Sequence, residues 1–181
     1  MQLHVQRLFA YSRMADVVAT FELVTVFGDA QSAERARALV RQTGSVRIGP
    51  WQVPIAEPTF VNAVEVTVWP LGLGYSGACT DERLNCPAVL NLDLDDVADQ
   101  LSDLLRRFDG YLTAMVGWDL GTDVDLCNLE EAVADPDDML RQAAGLGLAD
   151  DLVRRWNLSE GWELFAPGHQ WRPRRNFRRS A

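Results

Sequence analysis

Gly110-Tyr-Leu-Thr-Ala-Met-Val-Gly-Trp-Asp-Leu-Gly121 is an apolar run bounded by glycines, preceded by a segment of helical pattern and followed by acids. It reads as a strand that leaves the core at an acidic edge. Its expected partners are Thr20 to Phe27 and Asn62 to Trp69, the two other segments rich in valine, threonine and aromatics. Between these strands fall two helical patterns. Ser32 to Gln42 sets alanines, Leu39 and Val40 among Glu34 and arginines, opens on a serine and closes at Thr43-Gly44. Asn91 to Phe108 repeats Leu101, Leu104, Leu105 and Phe108 at helical spacing, with Asp95 or Asp96 as its start signal and Arg106 and Arg107 near its end. Strand, helix, strand, helix, strand predicts an α+β domain: a mixed or antiparallel sheet with the helices packed mainly on one face, an order that invites a ferredoxin-like arrangement.

The remaining segments are less regular. Pro50, Pro54 and Pro58 make Val46 to Phe60 an edge strand or an extended loop. Leu71 to Pro87 is a long stretch without an element. Met139 to Ala144 has the composition of a restarted helix that Gly145 and Gly147 interrupt, and Asp150 to Trp156 that of another short helix. Trp162 and Phe165 are expected to pack on the body. The chain thus divides into one compact domain, residues 1–171, and a basic tail, 172–181, expected to be flexible.

With 181 residues, 48% of them hydrophobic, the chain is expected to fold around a sizeable core. All 17 basic residues are arginine, and the formal charge is -9. That charge is unevenly placed: Asp93 to Asp138 holds 14 acids against two arginines, whereas Arg172 to Arg179 holds five arginines and no acid. An acidic body argues against general nucleic-acid binding and is compatible with a basic protein partner. Cys79, Cys86 and Cys127 cannot all pair with one another, and no secretory signal precedes them, so a cytoplasmic location is the simplest expectation. No stretch reaches the length of a membrane-spanning helix, and no membrane partner is expected.

Candidate chemistry centres on Asp119, Asp123 and Asp125, carboxylates following a strand, which have the hard oxygen ligands of a cation site but not the spacing of a calcium loop. Their simpler roles are a solvated acidic face or, with Trp118, a protein-binding one. Cys79 and Cys86 are too far apart for a redox pair, and with Cys127, His4 and His169 they make a poor zinc set. A nucleophile could be built from Ser76, Cys79 or Cys86 with a histidine, but nothing in the spacing brings them together, and a core, capping or surface role suits both histidines better. Gly72, Gly74 and Gly77 imitate a dinucleotide fingerprint without the apolar helix that should follow. No catalytic, cofactor or metal-ligating residue is therefore assigned. The leading expectation is a non-catalytic acidic binding module, of inhibitor or immunity type, neutralising a basic toxin or nuclease through Trp118, Asp119, Asp123 and Asp125. The alternatives are a small hydrolase using the 71–87 loop or the Asp119, Asp123 and Asp125 cluster, and a structural or assembly protein, including a homo-oligomer, whose aromatic C-terminus meets a neighbouring subunit.

Overall fold

The structure, a computed structural model, describes residues 21–56, 63–71, 94–118, 120, 143–158 and 160–174. In chain order the elements are β1 (Phe21–Phe27), α1 (Ala30–Thr43), β2 (Ser45–Ile48), β3 (Trp51–Pro54), β4 (Glu65–Val68), α2 (Leu94–Leu105), β5 (Tyr111–Trp118), β6 (Ala143–Ala149), α3 (Asp150–Arg155), β7 (Glu163–Ala166) and β8 (His169–Pro173). Six strands form one sheet in the order β4-β1-β5-β6-β8-β7, every neighbouring pair antiparallel. The fold is α+β.

The three strands expected from the sequence form one half of this sheet, but β1 and not β5 is the middle one: β4, expected beside β5, pairs with β1, and the other edge of β5 is taken by β6. Leu23 lies opposite Val68 on one side and Val116 on the other. β4, α2 and β5 therefore form a split β-α-β unit around β1, the unit on which ferredoxin-like folds are built. All seven residues of β1 are buried, as a central strand covered on both faces requires.

Each face has its own core. Ala33, Ala36 and Val40 of α1 and Val97, Leu101, Leu104 and Leu105 of α2 pack with Phe21, Leu23, Val66, Val68, Ala114 and Val116. Both long helices thus share one core with the sheet. Val24, Met115, Leu146 and Leu148 belong to a second core, completed by Val153 of α3 and flanked by Trp156 and Trp162. The short helix accordingly serves the other face.

Helix α1 starts earlier than Ser32. Asp29 is its extended N-cap: its carboxylate accepts from the Ser32 amide at 2.8 Å and from the Ser32 hydroxyl at 2.7 Å. Those two donors, the hydroxyl foremost, hold the Asp29 carboxyl below its ordinary range. At the other end Gly44 turns left-handed, φ 66°, and its amide donates to Val40 O. Asp95 and Asp96, expected as caps of α2, stand inside its first turn, where their charge favours the helix dipole. Val46 to Phe60, expected as an edge strand or loop, contains the β2–β3 hairpin, outside the main sheet, and a single bridge from Ile55 to Pro70.

The segment around Gly145 and Gly147 corrects the sequence reading. Ala143–Ala149 is a strand, not a helix interrupted by glycines. Its glycines alternate with Leu146 and Leu148, so one face carries leucines into the second core and the other is bare at Gly145 and Gly147. Trp171 of β8 occupies that bare face: a Cβ on Gly145 would lie 2.0 Å from Trp171 Cζ2, and one on Gly147 would lie 3.4 Å from Cε3. Glycine within a strand here marks the close approach of an indole. Phe165 stacks on the same indole, ring centroids 4.9 Å apart. The sheet continues into the segment expected as tail, since β8 includes Arg172 and Pro173 and the Arg174 amide donates to Ala144 O at 2.9 Å.

Gly145→Ala is expected to destabilise the protein by about 3 kcal/mol or more, because the new methyl overlaps the indole. Trp171→Ala is expected to cost about 3–5 kcal/mol through the void it leaves. The double variant should be clearly less unstable than the sum of the two, as measured by urea unfolding, because the overlap disappears with the indole. An additive result would mean that the two residues do not meet. Asp29→Ala should lower the melting temperature at neutral pH. Because the folded carboxyl titrates below its unfolded value of 3.8, the cap's contribution is present above about pH 4 and is lost as pH falls through the folded pKa. The gap between wild type and variant should therefore narrow in acid, as followed by thermal melts across that range.

Candidate functional site

Of the residues singled out by sequence, Trp118 is the last residue of β5, opposite Phe21. Asp119, Asp123 and Asp125 lie outside the described residues, as do Cys79, Cys86, Cys127, His4 and the 71–87 loop beyond Leu71. The ends of the sheet nevertheless fix the setting. Gly117 at the end of β5 pairs with Ala143 at the start of β6, and Gly145 pairs with Pro173 at the end of β8. The chain between β5 and β6, with its acids, thus leaves and re-enters at the sheet end where β8 delivers the arginine-rich segment.

An acidic surface also stands on a regular element. Helix α2 buries Val97, Ala98, Leu101, Leu104 and Leu105 and exposes Asp96, Asp99 and Asp103. Spacings of three and four residues place these aspartates along one outward face. Asp103 accepts from Arg106 Nη1 at 2.6 Å within that surface. Sequence reading found the leucine stripe but not this complementary acidic one, although the same periodicity encodes both.

His169 is interior and structural. Its Nε2 lies 3.0 Å from Tyr111 O and its Nδ1 3.0 Å from Pro167 O, while its ring stacks on Tyr111 at a centroid distance of 3.7 Å. With both ring nitrogens directed at main-chain carbonyls, the imidazole fastens β8 to the start of β5 across the end of β6. Among the core, capping and surface roles expected of it, His169 takes the first. Burial pushes the Tyr111 phenol well above its ordinary pKa, and its buried hydroxyl has no hydrogen-bond partner among the described residues. Its ring stacks on the His169 imidazole.

Among the described residues no group of three or more histidine, cysteine or carboxylate side chains could hold a metal ion, and no helix is long and apolar enough to cross a membrane. Two described arginines show how such side chains serve the fold. Arg37 is buried and donates to Glu65 O at 2.8 Å while pairing with Glu34 at 3.4 Å, and Arg172 Nη1 donates to Glu160 O at 3.0 Å.

Tyr111→Phe and His169→Ala should separate packing from hydrogen bonding. Removing the unpartnered hydroxyl is expected to leave stability within about 1 kcal/mol of wild type or to raise it. Removing the imidazole is expected to cost about 2–4 kcal/mol, through two polar contacts and a stacked ring. Equal losses in denaturant unfolding would contradict this assignment. No family model matches the chain, and neither a curated protein nor a solved structure is significantly similar to it.

Proposed function

We propose that the protein is a non-catalytic binding module that presents an acidic surface to a basic protein partner, as an inhibitor or immunity-type protein presents to a toxin or nuclease. The observation that carries this reading is the exposed row Asp96, Asp99 and Asp103 on α2, a rigid helix seated on the core through its opposite face. Carboxylates fixed on a packed helix lose little further freedom when a partner arrives, so their field guides association at low entropic cost. The row belongs to a longer acidic stretch, 14 acids against two arginines from Asp93 to Asp138. Trp118, Asp119, Asp123 and Asp125 are the proposed partner contacts beyond the helix, the indole as apolar anchor and the carboxylates as its charged rim. A cytoplasmic setting, in which unpaired cysteines stay reduced, belongs to the same reading.

Affinity capture from the native cell extract at low and moderate salt should recover a basic protein whose retention falls as salt rises. With that partner in hand, simultaneous reversal of Asp96, Asp99 and Asp103 to arginine is expected to slow association about tenfold or more at low salt, with a smaller effect on dissociation. Stopped-flow kinetics provide the readout. An association rate that the triple reversal leaves unchanged at low salt would place the binding face elsewhere.

A further inference from the structure

We propose that the protein self-associates through the outer edge of β7, two copies pairing antiparallel about a two-fold axis that passes through Leu164. β7 is the last strand of the six-stranded sheet; its inner edge pairs with β8, and among the described residues no strand pairs with its outer edge. Leu164 is 81% exposed, and it is the exposed large hydrophobic residue among those described. A single exposed leucine is ordinary on a protein surface. This one sits on a sheet edge that is short, four residues, and irregular, and that carries one charge, Glu163.

The choice of a second copy as occupant follows from register and charge. Residues opposite each other in an antiparallel pair share a sheet face, so the two-fold axis must coincide with a residue rather than fall between two. Glu163 pairs with Trp171, and Phe165 stacks on that same indole, so Glu163 and Phe165 share one face and Leu164 points to the other. Centred on Leu164, the pairing sets each leucine against its copy and sets Glu163 against Phe165 of the second copy. That phenylalanine carries a cation: the Arg106 guanidinium carbon lies 4.5 Å from its ring centroid. Each exposed Glu163 carboxylate therefore meets the Arg106 of the other copy, and the two-fold axis makes two such pairs.

The competing register, centred on Phe165, brings the two Arg106–Phe165 sets together and opposes like charges. The irregularity of β7 between Leu164 and Ala166 lies within both registers and does not distinguish them. Charge thus selects the Leu164 register. The irregularity confines the regular ladder to a few residues, so the buried surface falls short of the roughly 1,200 Å² of a standard interface, and the dimer is weak and concentration-dependent. This association uses the edge opposite β4, and Arg106, which also pairs with Asp103 at 2.6 Å, connects it to the acidic row of α2.

Sedimentation velocity of the full chain, from micromolar to millimolar concentration, tests the proposal. Moderate ionic strength is chosen to screen the general repulsion between two chains of charge -9. The weight-average sedimentation coefficient should rise from the monomer toward the dimer value across this range. Glu163→Arg and Arg106→Glu should each weaken self-association about tenfold or more, since each replaces both cross-pairs with like charges. An equimolar mixture of the two variants should restore association, because every cross-pair in the mixed dimer again joins opposite charges. Circular dichroism confirms that both variants remain folded, so loss of structure cannot imitate the result. A wild type that stays monomeric throughout would overturn the proposal. So would a dimer indifferent to both substitutions, or a mixture that associates no better than its components.

Discussion

The structure depends on β1 being satisfied on every side. Both of its edges are hydrogen-bonded, to β4 and β5, and all seven of its side chains are buried. A buried peptide group needs a partner, so a strand withdrawn this far from water is stable only with a neighbour on each edge. Its alternate side chains then divide the interior. Phe21, Leu23 and Phe27 join the core of α1 and α2, while Val24 joins the core of α3. Two hydrophobic cores back to back on one strand explain how this α+β chain carries helices on both faces while its two long helices share one.

The C-terminal third is held by shape. Trp171 lies against Gly145 and Gly147 of β6, Phe165 stacks on Trp171, and the Arg106 guanidinium lies over Phe165. These layers connect α2 to β6, β7 and β8 through ring contacts, whose dispersion energy depends on close approach. Gly145 makes that approach possible. On the same sheet, His169 reaches from β8 past β6 to the Tyr111 carbonyl, so the two halves are joined by polar contacts as well as apolar ones.

Charge is distributed by element. Helix α2 keeps its leucines inward and Asp96, Asp99 and Asp103 outward, and several described arginines are engaged within the fold: Arg37 on Glu65 O and Glu34, Arg106 on Asp103, Arg107 on the Thr43 hydroxyl, Arg172 on Glu160 O. Arginine suits these places because its planar group satisfies several acceptors at once and stays charged when partly covered. These cationic side chains thus consolidate the fold, while the acidic row of α2 faces outward.

Sequence alone determined the elements whose periodicity is strong. The valine-rich strands, the alanine helix closed by Gly44 and the leucine helix were all legible, because burial of one face imposes a period of two or 3.6 residues on the chain itself. From them followed the α+β class and the pairing of β5 with β1, but not the order, since β4 lies beyond β1 and the other edge of β5 is taken by β6. The candidate site was legible as an excess of acid in Asp93 to Asp138, but not as a row on α2, since the leucine stripe was read without its complement. Tertiary structure decided what no local pattern carries. The Gly-Leu-Gly-Leu run of β6 has the composition of a broken helix, and only an indole arriving from β8 makes bare glycines a favourable strand face. The helix start at Asp29 rather than Ser32 was settled by which side chain the Ser32 amide reached. The interior place of His169 was settled by two carbonyls, one of them 58 residues away in the chain. Such contacts join residues remote in sequence, and their free energy exists only after the chain has closed the loops between them.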